Sequence, residues 1–109
     1  MPIRVALTVV ALAAGIASAS AVPEIGKPGH IKDDDALACP SVEIVSKVMS
    51  IGQSDPSQGM RYAVSKGCVL LSEGSQIVVE DLSANGLACV RAKGKPACLW
   101  MNQTQVASD

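Results

Sequence analysis

Aromatic residues are almost missing from this chain. Its 109 residues include Tyr62, Trp100 and no Phe, 2% in all. That excludes a base-stacking surface for nucleic acid and a large aromatic-lined cofactor pocket. Histidine occurs once, as His30, so a multi-histidine metal site within one chain is excluded as well. Charge of either sign is not in excess: 9 Lys+Arg face 10 Asp+Glu, a net charge of -1. A nucleic-acid protein would carry a basic footprint. No CxxC pair is present, which argues against a dithiol redox enzyme. The length allows one domain and no second.

What is there begins with an export leader. Residues 1–21 divide into a short start carrying Arg4, an apolar stretch VALTVVALAAGI, and a small-residue tail ASASA. The apolar part is about a dozen residues, short of the roughly 20 that a spanning helix needs. Small residues one and three positions before the cut fit cleavage after Ala19 or after Ala21. Ala21 is favoured, with an uncleaved anchor as the competing reading. No Cys lies near the cut, so no lipid anchor is expected there. Beyond the leader 8 Lys+Arg (9 less Arg4) face 10 Asp+Glu, net -2. The mean hydropathy of +0.32 is largely the leader's own. No membrane span is expected after cleavage.

All four cysteines, Cys39, Cys68, Cys89 and Cys98, lie beyond the leader. In an exported chain an even count reads as two disulfides. A small core with little aromatic volume needs them, and each contributes about 2–4 kcal/mol. Their spacings match no zinc knuckle, so no metal site is expected.

Residues 22–38 (VPEIGKPGHIKDDDALA) are rich in Pro, Gly and charge and show no period. They read as a flexible arm, dispensable for folding. His30 with Asp33, Asp34 and Asp35 reads there as a solvated charge run rather than a metal site. Residues 40–51 predict a helix with Pro40 in its first turn, Glu43 near its positive end and Gly52 as its stop. Its apolar face is Val42, Val45, Val48 and Met49, flanked by Ile44 and Ile51. Residues 55–67 predict a second helix, capped by Asp55, with Pro56 first, Gln58 in a capping box and Gly67 ending it. Met60, Ala63 and Val64 form its inward stripe, and Gly59 weakens it. From Cys68 onward the runs CVLL, QIVVEDL, LACVRA and PACLWM alternate with turns, the pattern of an antiparallel meander. Residues 102–109 read as a frayed tail, and Asn102-Gln103-Thr104 matches the N-glycosylation sequon.

Glycines in the second place of two-residue turns at Glu73-Gly74, Asn85-Gly86 and Lys93-Gly94 set a register. It puts Cys68 opposite Val79, Glu80 opposite Arg91 and Cys89 opposite Cys98. Alternation then gathers Cys68, Leu70, Ile77, Val79, Ala88, Val90, Ala97, Leu99 and Met101 on one apolar face, spoiled by Asp81. With the helices packed on that face, Cys68 lies within reach of Cys39. The expected bridges are Cys39–Cys68 and Cys89–Cys98. The expected class is α+β: two short helices followed by a four-stranded antiparallel meander or partial barrel over residues 39–101.

Catalytic constellations are hard to assemble. His30 is the sole base for a hydrolytic triad. Glu73, Glu80, Asp81 and Asp55 have no aromatic platforms with which to hold a sugar. Gly94-Lys95 lacks the preceding glycine of a phosphate loop. No catalytic residue and no cofactor is expected. Trp100 and Tyr62 are the candidate partner anchors, Trp100 serving equally well as a core residue. Arg61, Arg91, Lys93 and Lys95 suggest a basic edge along the last hairpin, or a solvated guard against sheet aggregation.

Residues 67–101, GCVLLSEGSQIVVEDL…LACVRAKGKPACLWM, resemble the bacterial SH3-like barrels of exported proteins, with Gly74, Val79, Val90 and Trp100 at comparable places. The resemblance implies a strand arrangement and no binding residues. The function expected is a non-catalytic binding or accessory module in the periplasm or outside the cell, whose partner is a protein or envelope component. A secreted inhibitor acting through the hairpin at residues 92–96 is the alternative, and a small enzyme the third reading.

Overall fold

The computed structural model describes residues 23–109, so the leader and its cleavage positions lie outside the described residues. Two helices and seven strands follow in the order β1 (Pro28–Ile31), β2 (Ala36–Ala38), α1 (Val42–Ser54), α2 (Pro56–Ser65), β3 (Val69–Leu71), β4 (Gln76–Leu82), β5 (Leu87–Ala92), β6 (Leu99–Asn102) and β7 (Val106–Ser108). Strands β6-β5-β4-β1-β7 make one antiparallel sheet, and β2-β3 make a separate ribbon. The expected layout of helices first and a four-stranded meander after them is not the fold. The helices sit between strands, and the molecule is mostly sheet.

The correction begins at the two ends. Residues 22–38, read as a flexible arm, supply β1 between β4 and β7 and β2 against β3. Residues 102–109, read as a frayed tail, supply a 3-10 turn at Gln103–Gln105 and then β7. Strands of three or four residues are too short to display alternation, and their neighbours in space make them strands. Pro28 takes the first place in β1, where its missing N–H is tolerated. Gly29 is required by close approach: a Cβ there would stand 2.5 Å from the Ala107 carbonyl oxygen. Ile31 is fully buried, and Val106 is 2% exposed.

Register is the second correction. β3 pairs with β2 (Leu37 opposite Leu70), so the hairpin placing Cys68 opposite Val79 does not form. The β5–β6 connection spans residues 93–98 rather than a two-residue turn, and Cys89 faces Trp100. In β4–β5, Val78 faces Arg91 and Val79 faces Val90. Both shifts are by two residues, so the side chains of β4 up to Val79 and those of β5 and β6 keep their faces. In β3, by contrast, Leu70, expected on the apolar face, is exposed and Leu71 packs on the core instead. A bulge between Val79 and Asp81 then reverses the alternation. It moves Asp81 outward and brings Leu82 against the core, removing the one charge that spoiled the apolar face.

That face carries the main core: Ile77, Val79, Ala88, Val90 and Met101 with Ile31 and Val106. The expected cover was the helices. Instead the ribbon covers it, through Ala36, Ala38 and Leu71. The helices pack elsewhere, in a second cluster of Cys39, Val45, Val48, Ala63 and Leu87. Both bridges join the expected partners, Cys39 to Cys68 and Cys89 to Cys98. Cys98 stands in the connection just before β6, its Cα 5.3 Å from that of Cys89.

The second helix starts where the sequence marks it, at Pro56, whereas the first begins at Val42 and leaves Pro40 outside it rather than in its first turn. The Ser41 hydroxyl accepts from the Ile44 N–H at 3.2 Å, and Asp55 Oδ1 accepts from the Gln58 N–H at 3.2 Å. Gly52 does not stop α1, which continues to Ser54. Gly59 faces it across the helix pair: a Cβ on Gly59 would come 2.9 Å from the Gly52 Cα. The residue read as a weakness in α2 is one where the two helices approach too closely for a side chain. Of the predicted stripe on α2 only Ala63 is buried, while Met60 and Val64 are exposed, as is Met49 of α1.

The sheet order reverses the expectation that the arm is dispensable. A chain beginning at Ala36 lacks β1 and should lose its cooperative thermal transition by circular dichroism. Retention of the full-length melting point would contradict the pairing of β1 with β4. Gly29→Ala should cost about 1–3 kcal/mol in urea unfolding, the range for forced overpacking.

Candidate binding surface

The face of the sheet turned away from the main core carries the polar side chains of β1, β4 and β5. Alternation along β4 points Gln76 and Val78 outward, and Val78 lies between Pro28 of β1 and Arg91 of β5. Lys93 follows on the turn, its N–H donating to the Gln76 carbonyl at 3.2 Å. These residues with Ile77 and Gly94 surround a shallow depression of about 400 Å³. Its floor is apolar and its rim cationic.

Arg91 is held in place by an ion pair, its Nε 2.5 Å from Glu80 Oε2, with both side chains more than a third exposed. Exposed pairs contribute about 0–1 kcal/mol, so this contact orients the guanidinium rather than stabilising the fold. The Arg91 fork retains donors beyond Nε for a ligand. Nearby on β1, His30 Nδ1 lies 2.9 Å from Asp109 Oδ1. This contact fastens the end of the chain beside β1. His30 therefore belongs to a strand in the sheet, not to a charge run in an arm.

The six residues considered for partner contact are divided by the fold. Arg91 and Lys93 come together at the depression. Lys95 is exposed on the same connection without lining it. Arg61 is remote in the fold, lining a groove along α2 with Met60 and Val64, so no single basic edge exists. Trp100 is half-buried in the helix-side cluster, and its backbone exchanges two hydrogen bonds with Cys39 at 2.7 and 2.8 Å. Tyr62 packs in the same cluster, with Lys66 Nζ 5.6 Å from its ring centroid. Both aromatics are partly buried against this cluster. Cys39, Cys68, Cys89 and Cys98 are all consumed in bridges.

Sequence reading missed Pro28, Gln76 and Val78. The outward alternation of Gln76 and Val78 was visible in QIVVEDL, but their neighbour β1 was not. The carboxylates considered for catalysis are dispersed in local roles. Asp55 caps α2, Asp81 accepts from the Leu82 N–H, and Glu80 pairs with Arg91. The Glu73 N–H donates to Asp34 Oδ1 at 3.4 Å. Among the described residues no three His, Cys, Asp or Glu side chains are grouped to hold a metal ion. In the sequon, Asn102 Oδ1 accepts from both the N–H and the hydroxyl of Thr104, capping the 3-10 turn.

No family model, curated protein or solved structure matches this chain.

The division between packing and surface residues is measurable. Trp100→Ala should cost about 2 kcal/mol or more in urea unfolding followed by circular dichroism, part of the full cost of deleting a buried ring. Arg91→Ala should cost no more than about 1 kcal/mol. Equal losses would contradict the assignment.

Proposed function

We propose that this protein is a small exported, non-catalytic binding module of the periplasm or extracellular space, recognising a carboxylate-bearing partner protein or envelope component. The observation that carries the reading is the convergence of Arg91 and Lys93 over the apolar floor of Pro28 and Val78. Arg presents a planar fork that matches a carboxylate, and Lys adds a mobile charge. Apolar floor beneath a polar rim is the usual anatomy of a protein-binding patch. The residues around the depression suit holding a ligand rather than transforming it. Export is supported by the leader pattern at residues 1–21, and the two disulfides fit an oxidising compartment.

One observation favours the inhibitor reading as the alternative. The Cys89–Cys98 bridge closes a loop that exposes Lys93, Gly94, Lys95 and Pro96. A disulfide-closed exposed loop resists cleavage when it occupies a protease, so survival of the Lys93-Gly94 bond under trypsin would support that reading.

The module reading is tested by affinity capture from envelope extract, comparing the oxidised protein with its Arg91→Ala/Lys93→Glu variant. The variant should keep its melting point to within a few degrees and lose the captured partner at least tenfold. An unchanged capture profile would place the binding surface elsewhere.

A further inference from the structure

We infer that the outer edge of β3 is a self-complementary pairing surface, through which two copies of this chain join antiparallel about Leu70. Among the described residues β3 has one strand neighbour, β2. Its sequence is Val69-Leu70-Leu71, with no charge, Pro or bulge to guard the edge. Val69 is 43% and Leu70 47% exposed, although both are large apolar residues in a strand. The edge β7 differs: its Val106 is buried.

The backbone phase of β3 follows from its neighbours. Cys39 directs its N–H and C=O to Trp100 of β6. Alternation along β2 then turns the same groups of Ala38 toward β3, and Ala38 lies opposite Val69. Val69 and Leu71 therefore spend their backbone groups on β2, and Leu70 presents its N–H and C=O to the open edge. A second copy running antiparallel, with Leu70 opposite Leu70, exchanges two N–H···O=C bonds at that residue. The pairing is short, because the Cys68 N–H already donates to the Ala63 carbonyl at 3.0 Å.

Charge selects a second copy as the occupant. Lys66 precedes the strand, and between Asp55 and Glu73 the chain has Arg61 and Lys66 but no carboxylate. Glu73 follows the strand, with Asp34 hydrogen-bonded to its N–H. The edge is thus cationic at its start and anionic at its end. Antiparallel pairing about Leu70 sets the cationic start of one strand at the anionic end of the other, so that the turn carrying Lys66 in one copy lies toward the turn carrying Glu73 in its partner. Twofold symmetry makes the contact twice.

Sedimentation equilibrium of the oxidised protein tests this directly. An interface this small should give weak association, with the average mass rising toward two copies between about 10 µM and 1 mM. Leu70→Lys should hold the protein at one copy throughout that range. Lys66→Glu should weaken association about threefold to tenfold, and adding Glu73→Lys to it should restore the parent value. Both positions are exposed, so these variants keep the test valid should Leu70→Lys unfold. A monomer at 1 mM, a dimer that survives in a folded Leu70→Lys variant, or a charge reversal that fails to restore association would each overturn the proposal.

Discussion

Cys39 is fully buried and holds three parts of the molecule together. Its backbone exchanges two hydrogen bonds with Trp100, carrying the end of β2 onto the β6 edge of the large sheet. Its sulfur is bonded to Cys68, at the exit from α2 and the entry to β3. Two residues further on, Ser41 caps α1. The ribbon, the helix pair and the sheet are therefore positioned through one residue. The bridge closes a separation of 29 residues, for which the entropic model gives about 3–4 kcal/mol. That is a large share of the stability usual for a domain this small.

With this anchor in place, the two faces of the sheet take different work. The inner face is covered by the ribbon, so Ile77, Val79, Val90 and Met101 are sealed by Ala36, Ala38 and Leu71 rather than by helices. Small residues on β2 allow the ribbon to approach closely. The helices gather around Leu87, Trp100 and Cys39 at another place, where the indole supplies much of the apolar volume of an aromatic-poor chain. Beyond that cluster, the outward side chains of β1, β4 and β5 are free of structural duty. Arg91 and Lys93 stand there over an apolar floor.

The edges follow the same logic. β6 is closed by Cys39, and β3 is left open at Leu70. An apolar strand with a basic start and an acidic end is complementary to its own copy. The outer-face depression and the β3 edge involve no common residue, so a partner on one need not displace a partner on the other.

Local chemistry was legible wherever it lay within a few residues. Asp55 and Pro56 started α2, the runs from β4 to β6 were strands, and the bridge partners were foreseen. On β4, β5 and β6 the face assignment survived two register errors because each was a slip of two residues and side-chain alternation has a period of two. On β3, which pairs with β2, it failed, and Leu71 rather than Leu70 meets the core. What alternation could not reveal was decided in three dimensions. β1 and β7 are three or four residues long and owe their strand character to each other and to β4, as the Gly29 contact with the Ala107 carbonyl shows. The bulge that turns Asp81 outward appears only when β4 meets β5. The choice of cover for the apolar face, ribbon over helices, was settled by Cys39 reaching β6, a contact between residues 61 positions apart that no local pattern encodes. Sequence by itself determined periodicity and caps because those are short-range properties of side chains, whereas Cys39 and Cys68, 29 residues apart, were paired on a register that does not form. Only tertiary structure decided strand order and exposed edges, because backbone hydrogen bonds between distant segments carry no signature in the residues that make them.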